Sequence, residues 1–213
     1  MPKDSLNVTE TVEMLQAVAR AIIEAEPELT DADRNLGDGD HGIGMQRGMS
    51  AVLEKFASGE LETISKAFTG MGMAMMSSMG GASGAIFGTM FRSGGQAIED
   101  TAVLDAACLS EMLAAANEGV MTRGGAKPGD KTMIDALAPA AAKAKESAGM
   151  PLHEALVAVA SAAEEGREAT RDLIATIGRA KTLGEKSLGF PDAGACSVAI
   201  MLRAMADYCV ATA

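Results

Sequence analysis

Apolar residues recur at three- and four-residue spacing along most of the chain, and that spacing predicts about eight helices. The first runs from about Thr9 to Glu26, with Val12, Leu15, Ala19 and Ile22 on one face, and Pro27 follows it. The second begins near Gly42 and carries Met45, Met49, Val52 and Phe56. The third covers roughly Leu61 to Met79, with Ile64, Phe68, Met71 and Met75, and Gly80-Gly81 breaks it. The fourth opens at Ala82-Ser83-Gly84 and continues through Ile86, Phe87, Met90 and Phe91. The fifth spans roughly Ala102 to Met121. The sixth follows Pro128-Gly129, with Asp130 as its N-cap. The seventh is long and has Pro151 at its start, and the last runs from about Gly194 to Cys209.

Composition supports an all-α protein. The chain has no Trp, one Tyr and 3% aromatics, so the β-branched and aromatic runs of a sheet are mostly missing. Ala and Gly permit close helix contacts, and Met fills the gaps between them. The Met and Phe stripes read as core. With 213 residues and no repeat or linker, the expectation is one domain spanning 1–213. Short loops between helices favour an antiparallel up-and-down bundle or barrel. In that layout alternate loops share an end. The loops Pro27–His41, Gly80-Gly81, Met121–Asp130 and Thr176–Gly194 then fall on one face, and these are the unusual loops of the sequence.

The first of these loops carries the most chemistry. Asp33, Asp38 and Asp40 lie among glycines in Asp33-Arg34-Asn35-Leu36-Gly37-Asp38-Gly39-Asp40-His41-Gly42-Ile43-Gly44. Crowded carboxylates repel, and glycines let the backbone bring them together. A hard divalent cation with oxygen ligands, such as Mg²⁺, relieves that repulsion. The glycine-lined helix start that follows offers free N–H groups to an anion, and the two features together suggest a Mg-nucleotide. Three other readings compete. Gly37, Gly39 and Gly42 match a dinucleotide fingerprint, but that motif must follow a strand, and a helix is expected here. An EF-hand loop starting at Asp31 fails at Leu36 and at Gly42, where Gly and Glu are needed. A solvated acidic turn capping a helix needs no ligand at all.

The other loops add donors. Gly80-Gly81-Ala82-Ser83-Gly84 reads either as close helix packing or as backbone and hydroxyl donors to a phosphate. Arg123-Gly124-Gly125-Ala126-Lys127-Pro128-Gly129-Asp130-Lys131-Thr132 imitates a Walker A loop, but Asp130 intrudes and no strand precedes it. Arg179, Lys181 and Lys186 put three cations in the last loop of an acidic chain, as a solvated face or, for Arg179, as a partner for phosphate oxygens.

The net charge of -11 and a pI near 4.6 argue against nucleic acid and acidic membranes as partners. Cys108, Cys196 and Cys209 are odd in number and form no Cys-x-x-Cys pair, which fits a reducing cytoplasm. No signal-peptide pattern opens the sequence, and Arg, Glu or Asp interrupts every candidate membrane span.

Taken together the segments resemble the L subunit of dihydroxyacetone kinase. The match lies in Gly37-Asp38-Gly39-Asp40-His41-Gly42, Gly81-Ala82-Ser83-Gly84, Pro128-Gly129-Asp130-Lys131-Thr132-Met133-Ile134-Asp135-Ala136-Leu137, and Gly178-Arg179-Ala180 through Leu183-Gly184-Glu185-Lys186-Ser187. The resemblance implies an eight-helix antiparallel barrel with ADP or ATP at one end. It implies two Mg²⁺ ions held by three aspartates, matched here by Asp33, Asp38 and Asp40. Nucleotide contacts would fall on His41, Gly42, Ile43 and Gly44, and on Ala82 and Ser83. Gly124 and Met133 would lie along the base and ribose, Arg179 near the phosphates, and Asp192, Ala193 and Gly194 at a closing loop. The family commonly has proline where Ala193 stands.

The resemblance also implies partners. A separate K subunit holds dihydroxyacetone through a histidine, and in phosphotransferase versions an M subunit recharges bound ADP from phosphoenolpyruvate. A homodimer is compatible with the sequence. Two further readings stay open: a related kinase module for another ketose or a fatty acid, and a nucleotide-loaded regulator that binds a transcription factor. His153, at a predicted helix start, reads as surface.

Overall fold

The apolar stripes become the inward faces of a closed ring of helices. The computed structural model describes residues 1–59, 61–99 and 101–211. Its α-helices are α1 (Val8–Glu24), α2 (Glu26–Arg34), α3 (His41–Ala57), α4 (Ile64–Ser78), α5 (Gly81–Gln96), α6 (Ala106–Gly124), α7 (Ile134–Glu146), α8 (Leu152–Ala169) and α9 (Ala193–Val210). Short 3-10 segments cover Thr170–Asp172 and Arg179–Ser187. Among the described residues no strand forms, and Leu6 and Leu104 make one isolated antiparallel bridge. From α3 onward each long helix packs on the next, α1 packs on α3, and α9 returns to α1. Among the described residues eight long helices therefore close an up-and-down barrel, and α2 sits across one end against α3 and α9.

Methionine fills the interior. Met14, Met45, Met49, Met71 and Met75 expose no surface, and Phe68 stacks on Phe91 at 6.5 Å between ring centres. Where helices must touch, glycine replaces a side chain. A Cβ at Gly72 would stand 2.6 Å from the Gly88 carbonyl, and one at Gly88 would stand 2.8 Å from the Gly72 carbonyl. The α4–α5 contact is thus backbone against backbone.

Side-chain caps fix several helix starts. Asn7 forms a capping box with Glu10, Thr63 accepts from Lys66 N, and Asp105 accepts from Cys108 N. Each such cap is worth about 1 kcal/mol.

The structure departs from the sequence expectations at specific points. The expected long loop after Pro27 is mostly α2, because proline fits the first turn of a helix and Leu29, Thr30 and Ala32 bury its inner face. Asp130 is not the N-cap of the sixth predicted helix. That helix, α7, starts at Ile134, and Asp130 caps a turn before it by accepting from Lys127 N and Thr176 Oγ1. Pro151 stands at the N-cap of α8 rather than inside it. The fifth helix begins at Ala106, where Asp105 caps it, and reaches Gly124. Among the described residues one apolar stretch does pass as a membrane span by length and composition, namely α9, with mean hydropathy 1.3. Its window is 61% buried inside the barrel, so the core itself accounts for its apolar character. The three cysteines are free and buried, and burial pushes their thiols up to about 11 for Cys108 and about 12 for Cys196 and Cys209.

Candidate functional site

The barrel's alternation decides where helix N-termini gather. With neighbours antiparallel, α3, α5, α7 and α9 all start at one end, the end where α2 lies. Two contacts tie those starts together. His41 Nε2, at the start of α3, hydrogen-bonds Ser197 Oγ in the first turns of α9 at 2.8 Å. Its ring also leans on Phe87 of α5 at 5.9 Å between centres. Each helix start carries partial positive charge and unpaired N–H groups. Two of the four are occupied from within. Asp192 accepts from Ala195 N at the start of α9, and Thr132 Oγ1 accepts from Ile134 N, the first amide of α7. The N-cap residues of α3 and α5, Asp40 and Gly80, make no side-chain cap hydrogen bond.

The acidic cluster forms directly before α3. Asp33 ends α2, and a turn closes as Leu36 N and Gly37 N donate to the Asp33 carbonyl at 2.9 and 2.5 Å. Gly39 takes a φ of 76°, a left-handed value that reverses the chain between the other two carboxylates. Asp33, Asp38 and Asp40 then each offer an oxygen, all within 4.8 Å of one another. The donor set is oxygen only and largely exposed, which fits a hard, partly hydrated cation such as Mg²⁺. Asp33 Oδ2 also accepts from His41 N at 3.3 Å, which couples the cluster to the helix start. The guanidinium of Arg179 pairs with Asp38 and lies 3.6 Å from Asp40, so a cationic group already balances two of the three carboxylates.

Two residues before Arg179, Ile177 forms one wall of an open cleft of about 380 Å³. Ala82, Ala85 and Ile86 of α5 form a second wall, Val120, Arg123 and Gly124 of α6 a third, and Thr132, Met133 and Ile134 a fourth. The lining is apolar apart from Arg123 and Thr132, as a flat aromatic base requires. The cleft and the acidic cluster are therefore joined by the short step from Ile177 to Arg179.

The residues expected from sequence distribute as follows. Asp33, Asp38, Asp40 and Arg179 meet. Ala82, Gly124 and Met133 share the cleft. In the first turn of α3 Gly42 is buried against α2, Ile43 is exposed and Gly44 half-buried, and Ser83 lies exposed at the start of α5. The His41 side chain does not face the site. It is buried, and burial holds its imidazole below the ordinary histidine pKa, so only its backbone borders the cluster. Asp192, Ala193 and Gly194 lie behind Met133 rather than in the cleft wall, and a Cβ on Gly194 would stand 3.2 Å from Met133 Cβ. Burial raises the Asp192 carboxyl to about 7. Sequence reasoning missed Ile86, Thr132 and Ile177 as cleft residues. Ile86 was legible only as core, and nothing in the pattern marked Ile177.

The DAK2 domain profile matches residues 35–207. Over 204 residues the chain is 38% identical to the PEP-dependent dihydroxyacetone kinase, ADP-binding subunit DhaL, of Escherichia coli K12, covering 95% of this chain and 97% of that protein. It is 38% identical over 195 residues to the D-erythrulose kinase of Mycolicibacterium smegmatis, covering 90% of this chain and 34% of that enzyme. The crystal structure of the dihydroxyacetone kinase of C. freundii in complex with AMP-PNP and Mg²⁺ superposes with a TM-score of 0.71 at 28% identity, covering 97% of this chain and 34% of the crystallised one. This chain thus spans about a third of the latter two.

Proposed function

We infer that this chain, which belongs to the DAK2-domain family, is the nucleotide-binding, phosphoryl-transferring subunit of a dihydroxyacetone-type kinase. The observation that carries the reading is the juxtaposition of three carboxylates within 4.8 Å, two uncapped helix starts and an apolar cleft. Its near full-length similarity to an ADP-binding kinase subunit supports the same reading.

Phosphoryl transfer depends on positioning and on neutralising charge more than on covalent chemistry. The cleft takes the base of ADP or ATP between Ile86, Met133 and Ile177. The N–H groups of Gly42, Ile43, Ala82 and Ser83 receive phosphate oxygens. Asp33, Asp38 and Asp40 would hold Mg²⁺, two ions on the family pattern, which supplies charge neutralisation at the phosphates when bound. Arg179 sits between the cleft and the carboxylates, where its fork can turn from Asp38 to a phosphate oxygen. The acceptor, dihydroxyacetone or a related ketose, comes from a separate K subunit. The phosphoryl group arrives with ATP or is restored to bound ADP by an M-type phosphocarrier.

Titration calorimetry with ADP and Mg²⁺ tests the site. The parent should bind Mg-ADP, and Asp38→Asn and Asp40→Asn should each weaken binding at least tenfold while keeping the parent's circular dichroism. Nucleotide binding that ignores both substitutions would remove the metal from the assignment. No binding by the parent would remove the nucleotide.

A further inference from the structure

The Walker-like segment Pro128-Gly129-Asp130-Lys131-Thr132 contains a lysine that the site, as described, does not use. Lys131 is 2% exposed. Its φ of 60° is the one positive value among the described non-glycine residues, a conformation that persists only where surroundings enforce it. Its ammonium points into the protein. Nζ donates to the Thr170 carbonyl at 2.6 Å and to the Phe190 carbonyl at 2.7 Å. Burial lowers its pKa, and the nearby Asp192 carboxyl opposes that shift. Thr170, itself fully buried, extends the arrangement: its Oγ1 donates to the Arg167 carbonyl at 2.6 Å and accepts from Asp192 N at 2.9 Å. Asp130 ties the same turn to the segment leading to the cleft, since its carboxylate accepts from Thr176 Oγ1 at 2.6 Å.

We propose that Lys131 and Thr170 are positioning residues that clamp the Phe190–Gly194 loop to the turn ending at Met133, and so set the Met133 wall of the nucleotide cleft. The proposal rests on the nucleotide reading of that cleft. The chain of contacts is short. Lys131 precedes Met133 by two residues, Met133 lines the cleft, and Gly194 packs against Met133 from behind. Fixing Phe190 O and Asp192 N therefore fixes what stands behind the wall. A buried lysine is a costly way to fill space, and an apolar side chain of similar length would do that better. An apolar chain cannot gather two carbonyls from segments 39 and 59 residues away.

Three full-length variants test this: Lys131→Met, Thr170→Val and the conservative Thr170→Ser. Calorimetry with Mg-ADP and hydrogen exchange by mass spectrometry, without nucleotide, are the readouts. Lys131→Met and Thr170→Val should weaken Mg-ADP binding about tenfold, while Thr170→Ser binds like the parent. Exchange should accelerate at 127–133 and 189–194 and stay unchanged in α1 and α4. If Lys131→Met does not fold, the Thr170→Val and Thr170→Ser pair decides. Parent-like binding by Thr170→Val and Lys131→Met overturns the proposal, as does faster exchange spread evenly over the barrel. If the parent binds no nucleotide, the functional reading falls, and the exchange pattern alone then upholds or refutes the clamp.

Discussion

Single charges at this end of the barrel are set by their neighbours in ways that experiments can separate. Arg179 occupies two of the three carboxylates, so it competes with a cation for them. Exposed pairs of this kind are worth roughly 0.2–1 kcal/mol each. Arg179→Met should therefore tighten Mg²⁺ binding to the nucleotide-free protein by up to about fivefold, and weaken Mg-ATP turnover in the assembled kinase. Looser Mg²⁺ binding would show that Arg179 supports the cluster instead. Asp192 has the opposite problem, because burial raises its carboxyl from the ordinary 3.8 to about 7. A raised acid favours its protonated form in the folded state, so its contribution to stability is present below the unfolded pKa and is lost as pH climbs through about 7. His41, held low by burial, works against this slope over part of the window. Asp192→Asn keeps an oxygen for Ala195 N and does not titrate. The parent's melting temperature relative to Asp192→Asn should fall from pH 5 to pH 8, and a constant difference would place the Asp192 carboxyl in the ordinary range.

Helices set the site through where they start and how closely they pack. A Cβ added at Gly42 would overlap the Glu26 carbonyl and Thr30 Oγ1 of α2, whereas one at Gly44 meets nothing within 4 Å. Gly42→Ala must push α2 away, and Asp33 sits at the end of α2. It should cost about 1–3 kcal/mol and loosen Mg²⁺ binding as well. Gly44→Ala should leave stability equal or higher by about 0.5–1 kcal/mol, because alanine favours the helix. Thermal melts and a Mg²⁺ titration on both variants check the contrast, and equal behaviour would refute the packing account. The stripes of Met45, Met49, Met71 and Met75 were legible because a three-to-four period has few other meanings. α2 was not, because Pro27 reads as a stop when only the preceding helix is in view, although proline also opens helices. The Asp130 cap was misplaced for a related reason: an aspartate caps turns as readily as helices, and only the partner, Thr176, distinguishes them.

At the scale of the whole molecule, the up-and-down ring turns scattered loops into one face. That topology was legible from short connections, and it explains why Asp33, Ala82, Met133 and Arg179, far apart in sequence, stand together. The inward lysine was not legible, since the Pro-Gly-Asp-Lys-Thr run only imitates a phosphate loop when read as a string, whereas the fold gives Lys131 to two carbonyls. The same face also bounds what the chain does alone. On the proposed reading its polar groups are assigned to the nucleotide, the cation or the loops that hold them, and the cleft is apolar, unsuited to a small polyhydroxy ketone. His153, the second histidine of the chain, lies beside Asp4, where Lys3 O also accepts its backbone N–H, and takes no part in that face. On the function proposed above, a partner brings the acceptor to the exposed carboxylates and to Ile43, which is 55% exposed at the start of α3. With ATP and Mg²⁺ the isolated chain should phosphorylate dihydroxyacetone at a negligible rate. Adding a K subunit should produce activity, from ATP or from phosphoenolpyruvate with phosphocarrier proteins. Asp38→Asn should abolish that activity yet still compete with the parent for the K subunit, because Asp38 serves the cation while docking uses the surrounding surface. A coupled assay with purified subunits measures both effects, and vigorous ketose phosphorylation by the isolated chain would show that the acceptor site lies within it.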